Sequence, residues 1–178
     1  MLLSEVELRG EVDAGRLIFD PPLTRDRFQC ASIDITLHNA FWRSGLPDAE
    51  GIDVTIDIAR ADPYNYLAQE TTDDLELEPG EFVLGETAEA ISIPEHLVAW
   101  IEGKSGRARH GIIVHCTAPH IAPGWGRQKP KRITLEIVNH SSHRLKLRAG
   151  TPIAQLLVAR LTSPALHGYS GVHTTKGT

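Results

Sequence analysis

The sequence predicts an all-β fold with one short helix at its N-terminus. Two observations predict the strands. Apolar residues recur with period two, as in Ser32-Ile-Asp-Ile-Thr-Leu and Ile133-Thr-Leu-Glu-Ile-Val, which suits half-buried strands. Turn-forming residues divide these runs at fairly regular intervals: Gly85, Pro94, Gly103, Gly111, Pro123-Gly124, Pro130 and Gly150. Many short strands with even turn spacing indicate a sandwich, jelly roll or barrel. A third observation predicts the helix. Ser4-Glu-Val-Glu has the S-x-x-E form of a capping box, with Leu8 and Val12 following at helical spacing and Gly15 as a stop.

Taken in order, residues 4–14 are expected to form the longest helix. Ser32–Leu37 and Ile52–Ile58 alternate as strands do, and Asp62–Tyr66 reads as a loop. The acidic run Asp73, Asp74, Glu76 and Glu78 leads into a turn at Pro79-Gly80. Strands are expected at Glu81–Glu86, Val98–Glu102, Ile112–Thr117, Ile133–Val138, Arg144–Arg148 and Pro152–Leu161. A single domain over residues 1–166 is expected, with 167–178 as a mobile tail poor in apolar residues.

The 178 residues can bury an ordinary core without disulfides or metal. No apolar run approaches the roughly 20 residues of a membrane span. The start, MLLSEVELRG, lacks the basic, then apolar, pattern of a secretory leader. Cys30 and Cys116 are far apart and outside any C-x-x-C pattern, so they read as reduced, buried thiols of a cytoplasmic protein.

The chain is acidic, with a formal net charge of −5, yet no Asp or Glu lies between Glu102 and Glu136. That stretch carries Lys104, Arg107, Arg109, Arg127, Lys129, Lys131 and Arg132. A local positive field on an acidic protein suits an anionic small ligand rather than the broad basic face that nucleic acid requires. Gly103-Lys-Ser ends like a phosphate loop, but Val98 stands where the first glycine is needed, so a Walker loop is excluded. Ser105-Gly-Arg-Ala-Arg remains either an anion-binding turn or a solvated basic one. Nine histidines include no HxxxH or HExxH pair, and no zinc deaminase signature is present, so no metal ligand is assigned. His115, on the apolar run Ile112–Cys116, reads as a core or interface histidine. Alternation puts Glu136 on one face of its strand with Thr134 and Val138. It is either an exposed strand residue or a partly desolvated carboxylate suited to moving protons near neutral pH.

These motifs, in order, resemble the dCTP deaminase branch of the dUTPase superfamily over nearly the whole chain. Gln29-Cys-Ala-Ser-Ile-Asp-Ile-Thr-Leu is similar to the family's Q-P-A-S-x-D-x-R-L-G. Gly103-Lys-Ser-Gly-Arg-Ala-Arg-His-Gly is similar to G-R-S-S-x-A-R-x-G. His115-Cys-Thr-Ala with Pro123-Gly-Trp is similar to H-x-T-A…D-P-G-W. Thr134–Asn139 and Leu147–Leu156 match two further strands.

The resemblance implies a distorted jelly roll, a homotrimer with shared active sites, and zinc-independent conversion of dCTP to dUTP and ammonia, with Mg²⁺ carried on the triphosphate. It implies Glu136 as general acid/base and Arg109 beside the reacting carbon. Lys104, Ser105 and Gly106 would hold phosphates, and His115, Cys116, Thr117 and Ala118 would line the base pocket. Gln155 would support the site or contact phosphate, and Tyr169 with Lys176 would belong to a C-terminal lid. Two alternatives stand beside this: a dUTPase or bifunctional enzyme releasing dUMP, and a catalytically weak regulatory trimer. The chain departs from the pattern at Gly106, as in dUTPases, and at Ala122, where the family has Asp. It departs again in the long basic segment 126–132, and at Val172 in place of the lid lysine. The loss of the aspartate speaks against strong pyrophosphatase activity.

Overall fold

Residues 1–44 and 55–169 are described by the computed structural model. The helix forms where expected, as α1 (Glu5–Asp13), and it is the longest among the described residues. The Ser4 amide donates to Glu7 Oε2 at 2.9 Å, and its hydroxyl does so at 3.1 Å. Leu8 is fully buried, which docks the helix on the core.

Eleven strands follow among the described residues: β1 (Ile18–Asp20), β2 (Ile33–Ser44), β3 (Leu67–Thr71), β4 (Asp74–Leu77), β5 (Phe82–Ser92), β6 (Leu97–Gly103), β7 (Ile112–Ile113), β8 (His120–Ile121), β9 (Lys131–Asn139), β10 (Leu145–Arg148) and β11 (Pro152–Arg160). One curled antiparallel sheet runs β7-β9-β5-β2-β11-β6-β8, with β1 added to β5 and β3 to β2. β4 and β10 form a separate ribbon. The other helical pieces are one turn, α2 (Ser105–Ala108), and two 3₁₀ turns at Arg25–Arg27 and Pro63–Asn65. The expected all-β jelly roll with few helical turns is therefore present. Its core is lined by the inward faces of the curl: Ile33, Ile35 and Phe41 of β2, Leu135 and Ile137 of β9, and Leu156 and Val158 of β11. No helix among the described residues is long and apolar enough to cross a membrane.

Four expectations are corrected. Of Ile52–Ile58, residues 52–54 lie outside the described residues, and 55–57 carry no regular structure. The chain turns next, where the Asp57 carboxylate accepts the Ala59 amide at 3.0 Å, and Ile58 is 90% exposed. Among the described residues no strand pairs with 55–58, and alternation without a partner forms no ladder. The strand expected at Ile112–Thr117 stops at Ile113, because the Cys116 amide pairs with a carboxylate instead of a backbone carbonyl. Gly85 is not a turn. It lies inside β5, where an added Cβ would come within 2.9 Å of Ile137 Cδ1 and 3.3 Å of Phe41 Cδ1. Cys30 and Cys116 are exposed, not buried, though both are free thiols.

The acidic run also acquires structure. In β4, Leu75 and Leu77 are buried while Asp74 and Glu76 point outward. Across the ribbon, Lys146 Nζ lies 3.1 Å from Glu76 Oε1, and Arg148 Nε lies 3.3 Å from Asp74 Oδ1.

One buried charge clasps the two ends of the domain. Glu11 of α1 is 2% exposed and accepts bonds from Arg16 Nε and Arg160 Nη2, both at 2.7 Å, with His96 Nε2 at 3.1 Å. Burial pushes its acid up, but the bonds from Arg16, Arg160 and His96 outweigh this and hold it down at about 2. A carboxylate lowered on folding adds stability above its ordinary value near 4.5, and that stability is lost as pH falls toward 2. Because Arg16 and Arg160 are about half exposed, we expect Glu11→Gln to cost only about 2 kcal/mol at pH 7. Denaturant titrations should also show the variant losing less stability than the wild type between pH 4.5 and 2.

Candidate active site

The site is built where β9 meets the segment that leaves β7. Alternation on β9 turns Ile133, Leu135 and Ile137 into the core and leaves Thr134, Glu136 and Val138 on the outer face, as expected. Glu136 is half-buried. Its amide donates to Val114 O at 3.1 Å, and the Cys116 amide returns a bond to Glu136 Oε2 at 2.8 Å. The carboxylate thus takes a ladder position that a carbonyl would otherwise fill, and this holds residues 114–116 against β9. The other oxygen, Oε1, has no bond among the described residues, so it is open to a water or substrate amine. Leu84 of β5 lies opposite Glu136, and Trp42 of β2 lies opposite Leu84. The carboxylate therefore has an apolar flank. Partial burial pushes the Cys116 thiol up, as does the charge of Glu136. Thr117 and Ala118 are exposed just beyond.

His115 Nε2 lies 3.4 Å from Glu102 Oε2, and its Nδ1 is buried with no partner among the described residues. Glu102 precedes the Gly103–Arg109 turn, so this contact links the Glu136 region to the basic turn. There α2 is a single helical turn, with Ser105 and Gly106 exposed at its start. Lys104 Nζ is bonded to Asp34 Oδ1. Asp34 is buried and lies opposite Gln155 across the β2–β11 ladder, while Gln155 accepts the Ser32 hydroxyl at 3.3 Å. Lys104, Asp34, Ser32 and Gln155 thus form one cluster. Asp34 and Ser32 belong to a motif read at first only as a strand. A carboxylate on the strand of two buried isoleucines, with a hydroxyl just before it, is the signal for their role.

Two expected residues stay apart from this centre. Arg109 is exposed, and no hydrogen bond or ion pair joins its guanidinium to Glu136. Tyr169 packs on Trp125, with ring centroids 5.2 Å apart, and its amide donates to Pro123 O at 2.9 Å. Lys176 and Val172 lie outside the described residues. Ala122 starts a tight turn in which its carbonyl accepts the Trp125 amide at 3.2 Å. The basic segment after it is partly committed, since Arg127 pairs with Glu95 at 2.7 Å.

Known proteins match this architecture. A family model described as dCTP deaminase-like matches residues 2–161. A protein of Parafrankia sp. named "dCTP deaminase, dUMP-forming" is 37% identical over 169 residues, covering 95% of this chain and 81% of its own length. Its namesake in Streptomyces coelicolor is also 37% identical over 169 residues, covering 95% of this chain and 85% of its own. Among solved structures, the 2'-deoxycytidine 5'-triphosphate deaminase of Agrobacterium tumefaciens superposes with a TM-score of 0.67 at 20% identity. That match covers 88% of this chain but only 47% of the longer one, and it establishes the shared fold. The chain belongs to the dCTP deaminase-like family.

Proposed function

We propose that this protein deaminates the cytosine ring of dCTP and goes on to release dUMP. The observation that carries the deamination is the bond from the Cys116 amide to Glu136. It fixes one carboxylate oxygen, leaves the other open, and sets both at the start of the His115–Ala118 segment. In this reading that segment lines the base pocket, and its backbone discriminates the ring. Glu136 takes a proton from a water as the water oxygen bonds to C4, then delivers a proton to the departing amine. Ammonia leaves with the electron pair of the C4–N bond, and a uracil ring remains.

Lys104, Ser105 and Gly106 face the phosphates, with Asp34 holding the ammonium of Lys104 in place. The substrate is the magnesium complex of the nucleotide. Arg109, exposed and with no side-chain partner among the described residues, serves a site shared between copies of a homotrimer. The names of the relatives support dUMP rather than dUTP as the end product, so the bifunctional alternative replaces release of dUTP as the main reading. It also overrides the inference drawn from Ala122 that pyrophosphate release is weak.

The test is product stoichiometry. With dCTP and Mg²⁺, anion exchange should resolve one dUMP and one pyrophosphate for each ammonia. Accumulation of dUTP in step with ammonia would overturn the dUMP-forming step. Conversion of dUTP alone, with dCTP untouched, would overturn the deaminase reading.

A further inference from the structure

The two reactions take place at different ends of one nucleotide, and the assignment above supplies a proton acceptor, Glu136, only at the ring. The outer face of β5 and β9 holds a second carboxylate. Register pairs Glu136 with Leu84 and Thr134 with Glu86. Residues two apart on a strand share a face, so Glu86 lies diagonally across from Glu136, about 7–8 Å away between strands. Glu86 is half-buried and makes no hydrogen bond or ion pair among the described residues. Three other glutamates near this sheet are committed. Glu89 is buried and accepts the Thr36 amide at 3.0 Å and its hydroxyl at 2.6 Å. Glu102 faces His115, and Glu81 pairs with Arg43 at 3.1 Å. A carboxylate that serves packing alone is normally exposed or paired. Burial raises the acid of Glu86, and the charge of Arg132 opposes the rise. Arg132 itself is exposed, two residues from Thr134 along β9, and its guanidinium is unpaired among the described residues.

We propose that Glu86 is the general base for the second reaction, hydrolysis of the bond between the α- and β-phosphates, with Arg132 drawing the phosphate to it. This rests on the dUMP-forming reading. Glu86 takes a proton from water as the water oxygen bonds to the α-phosphorus. The bond from that phosphorus to the bridging oxygen breaks, and the oxygen leaves with the electron pair as magnesium pyrophosphate. The proton passes from Glu86 to solvent. Glu136 and Glu86 then act on opposite ends of one nucleoside, the ring and the α-phosphate.

The test supplies dUTP directly to the full-length protein and follows pyrophosphate. Glu86→Gln is expected to slow dUMP release by about 10²-fold or more, and Glu86→Asp to retain part of the rate. With dCTP as substrate, the Gln variant is expected to accumulate dUTP where the wild type releases dUMP. Unchanged dUMP release from Glu86→Gln would overturn the proposal. So would loss of ammonia and dUMP in equal proportion, which would assign Glu86 to the ring or to folding. A wild type that releases ammonia and never dUMP would instead defeat the reading beneath it.

Discussion

Glu136→Gln is expected to stop ammonia release from dCTP while the nucleotide still binds. Glutamine matches glutamate in size, and its amide oxygen can still accept the Cys116 amide, which lies 2.8 Å from Oε2 in the wild type. The 114–116 segment therefore keeps its place on β9, and the pocket keeps its shape. What disappears is the capacity to take a proton from water and return it to the amine. Loss of a positioned general acid/base costs about 10²–10⁴-fold, and here one group serves both proton transfers, so the upper end is expected. Ammonia release and equilibrium binding of dCTP, measured side by side, separate chemistry from recognition. Retained turnover would remove Glu136 from the mechanism. Loss of binding together with turnover would make it a residue of the pocket wall.

Gly126→Ala should cost about 3 kcal/mol of stability, the largest effect expected from a single methyl group here. The reason is backbone, not side-chain, geometry. Gly126 has φ +66°, a left-handed conformation that L-residues adopt at a cost. A Cβ built there would come within 2.3 Å of the Ile91 carbonyl oxygen and 3.2 Å of the Lys131 amide nitrogen. Neither group can rotate away, because both belong to strands of the main sheet. The turn at 122–126 must therefore shift as a unit, taking Trp125 and the entry to β9 with it. Urea titration of the variant should show a lower midpoint, and an unchanged midpoint would mean that this turn is free to relax.

Much of the architecture could be read from the residues themselves. The capping box at Ser4 and Glu7, and the alternation from Ile133 to Ile137, are local patterns that the tertiary structure reinforces. The proposed catalytic face of β9 was legible for the same reason. The failures share a cause: each depended on what lay across the sheet. Ile52–Ile58 alternates as well as β9 does, but at Thr55–Ile58 no strand lies beside it among the described residues. The acidic run at Asp73–Glu78 shows only that it leads into the Pro79-Gly80 turn until β10 brings Lys146 and Arg148 opposite it. Gly85 reads as a turn until Phe41 and Ile137 are seen to need the space. Ile112–Thr117 reads as one strand until a side chain of β9 takes over a backbone partner. Glu86 could not be singled out at all. Its meaning comes from cross-strand register with Thr134, across 48 residues of chain (134 − 86).

The contact between Trp125 and Tyr169 gives the protein a built-in optical reporter. The indole sits at the turn that follows Ala122, and the phenol belongs to the chain segment leading to the C-terminal end. At 5.2 Å between ring centres, light absorbed by the tyrosine passes readily to the tryptophan. The spectrum of Trp125 is thereby tied to whether residue 169 stays docked. With three tryptophans in the chain, replacing Trp42 and Trp100 by phenylalanine would isolate that signal without attaching a dye.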